Sequence, residues 1–384
     1  MSKKEIKIIR WGILGLGHIA RKFSQDITSV HGTELYAVAS RSHQKASSFA
    51  NEFQVSINYD SYESLVKDPL VDAVYIATPH SFHKEHTTLC LQHKKAVLCE
   101  KPFAMNLQEV TEMIRVAKKN NTLLMEALWT AFLPHFQYVK NSIRNKKFGE
   151  VIHLEADFGF KSTHSLDSRV LKKELGGGSL LDIGIYPVFL ALSILGIPKS
   201  IESTATFFTN GADSSCDMIF NYDNSKAILK STFLKETPTE AVITCEHGII
   251  KINTMFHQPT TITLIQNGIE EHVDFSAKTF GYNFEIEHFN QLIEEYGSMA
   301  GIRDTKATPM TNALMSEKER VPATPLKTQT SAPKAPATVV DEIAQPIAVP
   351  TPMSNAMAQN NMSPIGSIEE QQTGLMSNAP QQIA

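Results

Sequence analysis

Three groups of residues have types and spacings suited to chemistry. Gly12-Ile13-Leu14-Gly15-Leu16-Gly17-His18-Ile19-Ala20 closes an apolar, β-branched run with a G-x-G-x-x-A turn. In such a turn Gly15 permits the tight bend, Gly17 lets backbone approach a pyrophosphate, and Ala20 lets the next helix pack close, its N-terminus facing the anion. Asp182 and Tyr186 stand four apart behind Gly176-Gly177-Gly178 and so share one face of a helix. A buried Asp beside a Tyr biases the phenol toward proton transfer, and a nearby ammonium lowers its pKa. The competing reading of Tyr186 is an interdomain packing residue. Lys101, in Glu100-Lys101-Pro102, and His80 and His83, in Thr78-Pro79-His80-Ser81-Phe82-His83, follow apolar runs; as isolated residues they would read as solvated loop groups.

The elements that must position these groups begin with a βαβ rhythm from Ile6 to about Ala127. Strands are expected at Ile6 to Leu14, Leu35 to Ser40, Val71 to Ala77, Ala96 to Cys99 and Leu123 to Ala127, with helices between them, which makes a doubly wound parallel sheet. Lys101 and His80 then fall at carboxyl ends of strands, on the edge that holds the Gly15 turn, where open α/β sheets bind ligands. Lys101 would meet a substrate beside a bound nicotinamide. At the end of the second strand, where NAD enzymes place Asp or Glu, stands Ser40-Arg41-Ser42-His43. A guanidinium with two hydroxyls suits a 2′-phosphate, so NADP is expected ahead of NAD. The alternatives for Arg41 are stacking on adenine or a solvated loop.

Beyond Trp129 the rhythm changes. A helix at Phe136 to Asn145 precedes strands at Val151 to Phe160, Ile201 to Phe208, Met218 to Tyr222, Lys226 to Phe233, Ala241 to Cys245, Ile249 to Asn253 and Thr260 to Ile265, interrupted by a helix at Leu180 to Leu195. Turns such as Glu246-His247-Gly248 join them into an open, mostly antiparallel sheet, an α+β arrangement. A last helix is expected from Asn283 to Tyr296. No aromatic residue follows Tyr296, yet ten of the 18 prolines do, a composition too poor in apolar surface to offset its ordering entropy. The expected division is a dinucleotide-binding domain over 1–128, a substrate and dimerisation domain over 129–300 and a disordered tail over 301–384.

The 384 residues carry a net charge of −4 in mixed-sign clusters. No basic run suits nucleic acid or a membrane surface, and no apolar stretch looks long enough to span a bilayer. The four cysteines lack metal or disulfide spacing, so they are expected as reduced core thiols in a cytoplasmic protein, with no metal.

Together these stretches, with Ala39-Ser40-Arg41-Ser42, Cys99-Glu100-Lys101-Pro102-Phe103, Met125-Glu126-Ala127-Leu128-Trp129 and the Gly176 to Pro187 run, resemble the Gfo/Idh/MocA family of two-domain oxidoreductases. Within it they look most like the branch of dimeric dihydrodiol dehydrogenases and NADP-dependent D-xylose dehydrogenases. The resemblance implies a Rossmann domain, a C-terminal domain whose open sheet forms a homodimer, and a small-molecule site for a sugar or diol between them. It implies cofactor contacts from Gly15, Gly17, His18, Ile19, Ser40, Arg41, Thr78, His80, Glu100, Lys101 and Arg169. Lys101, Asp182 and Tyr186 would be catalytic, Tyr186 standing where many relatives have His, and Asp182 would also contact substrate. His80, Trp129, Phe158, Phe160 and Phe280 would line the pocket. A catalytically silent NADP-binding sensor is the alternative; intact Lys101, Asp182 and Tyr186 argue against it. Relatives continue past the last helix into a further one, which nothing after Gly297 matches.

Overall fold

The computed structural model describes residues 8–300, with side chains described to residue 295; the tail expected to be disordered, and the stretch where relatives are expected to continue into a further helix, lie outside the described residues. Period-two burial builds the first sheet. In β1 (Ile9–Leu14), Ile9, Trp11 and Ile13 enter one apolar core with Phe23, while Leu14 enters another with Leu65 and Val74. The remaining elements are α1 (His18–Ile27), β2 (Thr33–Ala39), α2 (His43–Phe53), β3 (Ile57–Tyr59), α3 (Tyr62–Lys67), β4 (Ala73–Ile76), α4 (His83–Gln92), β5 (Ala96–Glu100), α5 (Leu107–Asn120) and β6 (Leu124–Ala127). The strand order β3-β2-β1-β4-β5-β6 reverses at β1 and β4, and every pair is parallel. The sheet thus has six strands where five were expected: β3, three residues at the edge, is too short for alternation to register. Ser42, Ser61 and Asn106 cap α2, α3 and α5 through their side chains. α1 starts at Gly17 without a side-chain cap.

The second half runs α6 (Pro134–Arg144), β7 (Val151–Gly159), a π-helical turn (Leu180–Gly184), α7 (Ile185–Leu195), β8 (Ser200–Phe207), β9 (Asp213–Asn221), β10 (Lys226–Thr232), β11 (Ala241–Cys245), β12 (Gly248–Ile252), β13 (Thr261–Gln266), β14 (Ile269–Asp274) and α8 (Tyr282–Ala300). Its eight-stranded sheet, β14-β13-β12-β11-β7-β10-β9-β8, is antiparallel except for β7 against β10. Two strands extend the expectation. β14 is an exposed, charged edge, and β9 begins five residues earlier than predicted because buried Ser214 and Cys216 alternate with polar residues. The single helix expected from Leu180 is a π turn followed by α7. Leu154, Leu229 and Ile243 are buried on one face of this sheet; on the other, Ile219, Ile228 and Val242 fall in one cross-strand row and are only half-buried.

One expectation needs correction: the run Lys173–Leu195 is long and apolar enough by composition to cross a membrane. In the fold it is interrupted by the Gly176–Gly178 loop and the π turn, and α7 buries Leu190 and Ala191 in the main core, so sheet packing accounts for its apolarity. The four cysteines are free and buried.

α8 closes over the first sheet, so both sheets belong to one compact unit. Asp26 of α1 accepts the N–H groups of Phe280, Gly281 and Tyr282 at 3.1, 2.9 and 2.9 Å, an anion at the start of α8. The Trp11 indole N–H donates to Asn290 at 3.1 Å and its ring meets Phe289 at 5.3 Å.

Candidate active site

Gly15 has φ of 87°, and a Cβ there would lie 2.8 Å from the Ala77 carbonyl oxygen and 2.7 Å from Thr78 Cγ2. Only glycine bends there against the end of β4. At Gly17 the opposite holds: no atom lies within 4 Å of the Cβ position. The uncapped start of α1, with no acidic residue in its first turn, opens beside that space. Free helix N–H groups facing room for a ligand fit a pyrophosphate. His18 is exposed and Ile19 half-buried in this first turn. At the end of β2, buried Ser40 accepts the Ser42 N–H at 3.3 Å. Exposed Arg41 sits 5.7 Å from the Phe82 ring centre and bonds to Tyr62. Thr78 Oγ1 is 3.0 Å from His86 Nδ1. The carboxyl ends of β1, β2 and β4 therefore hold Gly15, Gly17, Ser40, Arg41 and Thr78, while Glu100 and Lys101 follow β5 and Arg169 follows β7.

At the end of β5, buried Glu100 accepts the Tyr75 hydroxyl and the Lys101 N–H at 3.1 Å; burial pushes its carboxyl up to about 7, the Lys101 charge opposing. The Lys101–Pro102 bond is cis, and Glu126 takes the Phe103 N–H at 3.0 Å. These bonds fix the turn from which Lys101 reaches the other half of the molecule. Its Nζ donates to the Asp182 carbonyl at 2.7 Å, stands 3.9 Å from Asp182 Oδ1 and 4.9 Å from the Tyr186 ring centre. Burial works against the ammonium, but Tyr186, Asp182 and Glu100 outweigh it and raise its pKa. The Tyr186 hydroxyl accepts the Trp129 indole N–H at 3.0 Å; burial raises its pKa, with Lys101 pulling down.

Arg169 Nη1 stands 3.9 Å from Asp182 Oδ1 and donates to His80 Nε2 at 3.4 Å. His80 Nδ1–H donates to the Gly176 carbonyl at 3.0 Å. Burial pushes the His80 pKa down to about 3 despite Asp182, which agrees with a neutral ring that donates at one nitrogen and accepts at the other. His80 and His83 are buried, not solvated. The structure thus brings Lys101, Asp182, Tyr186, His80 and Arg169 together from both sheets.

Aromatic groups surround them. Phe158 lies 5.8 Å from Tyr186 and 6.4 Å from Phe160, which leans on Phe233 at 5.1 Å. Phe280 stands apart, 41% exposed, its ring 5.1 Å from the Lys22 ammonium. Two residues on, Tyr282 stacks on Trp129 at 4.5 Å instead. Tyr282 and His257 are the neighbours that sequence reasoning missed. The His257 ring stacks on Phe158 at 4.3 Å and meets Tyr186 at 4.8 Å, and burial pushes its pKa down to about 3. Its turn, Phe256-His257-Gln258-Pro259, has no local pattern that would mark it.

A dinucleotide turn on the carboxyl edge of the first sheet and a half-buried ammonium and carboxylate gathered at a buried phenol define the class, an oxidoreductase that works with a nicotinamide cofactor. Known proteins agree. The model of the oxidoreductase family with NAD-binding Rossmann fold matches residues 9–128, and that of the Gfo/Idh/MocA C-terminal domain matches 136–251. Trans-1,2-dihydrobenzene-1,2-diol dehydrogenase of Xenopus tropicalis is 34% identical over 321 residues, covering 80% of this chain and 96% of the relative. The NADP(+)-dependent scyllo-inositol 2-dehydrogenase of Bacillus subtilis is 32% identical over 322 residues, covering 82% and 96%. A 3-ketoreductase from Actinomadura kijaniata, solved with NADP and TDP-benzene, shares the fold with TM-score 0.67 at 24% identity, over 76% of this chain and 91% of that one. The chain belongs to the Gfo/Idh/MocA oxidoreductase family and carries its NAD(P)-binding domain.

Proposed function

We propose that this enzyme moves hydride between NADP and a CH–OH group of a sugar or vicinal diol, with Lys101 and Tyr186 handling the hydroxyl proton and Asp182 orienting them. The observation that carries this reading is Lys101 Nζ held by the Asp182 carbonyl at 2.7 Å and 4.9 Å from the Tyr186 ring. The nicotinamide, when bound, supplies the carbon that exchanges hydride. Oxidation releases a hydride from carbon and a proton from oxygen, and the phenolate of Tyr186 takes the proton; in reduction the neutral phenol returns it. The Lys101 ammonium stabilises negative charge on the substrate oxygen. Because burial raises the phenol's pKa, reduction is favoured near neutrality and oxidation in alkali.

Arg41, exposed and flanked by Ser40 and Ser42, supports the choice of NADP over NAD. The names of relatives that act on a dihydrodiol and on an inositol support the substrate class, and aromatic side chains about Tyr186 suit the apolar face of a ring. The half-buried row Ile219, Ile228 and Val242 supports a homodimer through the second sheet, and four free, buried thiols support a cytoplasmic enzyme. The test is a screen of aldoses, inositols and vicinal diols against NADP+ and NAD+, read by NADPH or NADH absorbance. Turnover with NADP+ is expected. NADPH binding without turnover of any of them would favour a sensor and contradict the proposal.

A further inference from the structure

The loop that carries Asp182 and Tyr186 is anchored to β9 by one carboxylate. Asp213 Oδ2 accepts the Ser179 hydroxyl and the Leu180 N–H, each at 2.7 Å. Its Oδ1 lies so close to Gly178 that a Cβ there would come within 2.1 Å, and Gly178 has φ of 136°. Ser179, fully buried, also meets Ser231 of β10 at 3.1 Å, and Ser231 Oγ would stand 2.8 Å from a Cβ at Gly184. The π turn Leu180–Gly184 is therefore hydrogen-bonded to the sheet at its start and packed close against Ser231 at its end. Between these ends lies Asp182, whose N–H bonds the Gly178 carbonyl at 3.2 Å and whose own carbonyl receives Lys101. Wide π turns recur at functional sites because they re-aim backbone groups.

We propose that Asp213 is a positioning residue: through Ser179 and Leu180 it sets the π turn so that the Asp182 carbonyl holds Lys101 beside Tyr186. This rests on the Lys101/Tyr186 reading above. Freed from Asp213, the turn relaxes toward ordinary helix, the Asp182 carbonyl retreats, and the ammonium loses its fixed place beside the phenol.

The full-length enzyme and its Asp213→Ala, Asp213→Asn and Ser214→Ala variants test this. Ser214 neighbours Asp213 on β9, is buried and bonds Thr206 across the strands, so it controls for strand damage alone. Asp213→Ala is expected to lower kcat about 10–100-fold, as misplacement by an ångström does, with KM for NADP+ unchanged and the alkaline rise of the oxidation rate moved to higher pH. Asp213→Asn, which keeps an acceptor, recovers most of the rate, and Ser214→Ala leaves kcat unchanged. A crystal structure of Asp213→Ala gives a readout independent of turnover: Lys101 Nζ should have left hydrogen-bond reach of the Asp182 carbonyl. If Lys101→Ala abolishes turnover while Asp213→Ala retains the parent kcat, the positioning role is overturned and the proton-transfer reading stands. If Lys101→Ala and Tyr186→Phe keep full turnover, that reading falls, and a retained Lys101–Asp182 bond in the Asp213→Ala crystal overturns the positioning role as well.

Discussion

Two ionisable groups where the halves of the molecule meet, one half-buried and one fully buried, have opposite surroundings. Lys101 is held by a carbonyl, a carboxylate and the face of a phenol. Glu285, on α8, is fully buried, and among the described residues neither carboxylate oxygen has a hydrogen-bond partner. Burial, reinforced by Glu100 and Asp26, raises its pKa well above the usual glutamate value. The contrast separates a charge that the fold invests in from one that it suppresses. A half-buried cation with matched partners can act on a substrate; a buried acid without them is a cost in stability.

Breaking the first member should damage chemistry more than folding. Lys101→Ala is expected to lower kcat/KM about 10³-fold, within the range for a proton-transfer group that also stabilises charge, with KM for NADP+ raised far less; equal losses in both would mean that Lys101 mainly binds cofactor.

Relieving the second should do the reverse. Glu285→Met is expected to stabilise the protein by about 1–3 kcal/mol at neutral pH, the cost of an unsatisfied buried polar group, with activity retained; a lower melting temperature would contradict this. The sign follows from linkage. A folded pKa raised above 4.5 means that stability is full below that pH and is lost as pH rises through the folded value. Denaturant midpoints should therefore fall with rising pH in the parent, and less so in Glu285→Met.

A smaller effect falls on an exposed charge. Arg41→Ala should raise KM for NADP+ about tenfold, one charge-assisted contact to a phosphate, and leave KM for NAD+ unchanged. Equal changes for both would remove Arg41 from 2′-phosphate recognition.

These expectations draw on parts of the molecule that were unequally legible. The Gly15 turn, Arg41 and Lys101 were readable because each follows its strand directly, and a parallel sheet brings strand ends to one edge without further packing information. The Asp182/Tyr186 pair was readable from its four-residue spacing, yet not the π turn that aims it, because that turn depends on Asp213 some thirty residues later. His257, Tyr282 and Glu285 were silent for the same reason: each owes its place to tertiary packing between distant elements. Phe280 shows the converse, a plausible aromatic whose ring lies over Lys22 while Tyr282 stacks on Trp129.

In the proposed mechanism Tyr186 exchanges the substrate proton under the influence of Lys101. Its most direct test is the pH dependence of kcat/KM for alcohol oxidation in the parent and in Tyr186→Phe. The parent should rise with pH as the buried phenol ionises, and the variant should be at least about 10²-fold slower with that rise gone. A variant that keeps both the rate and the rise would contradict the account.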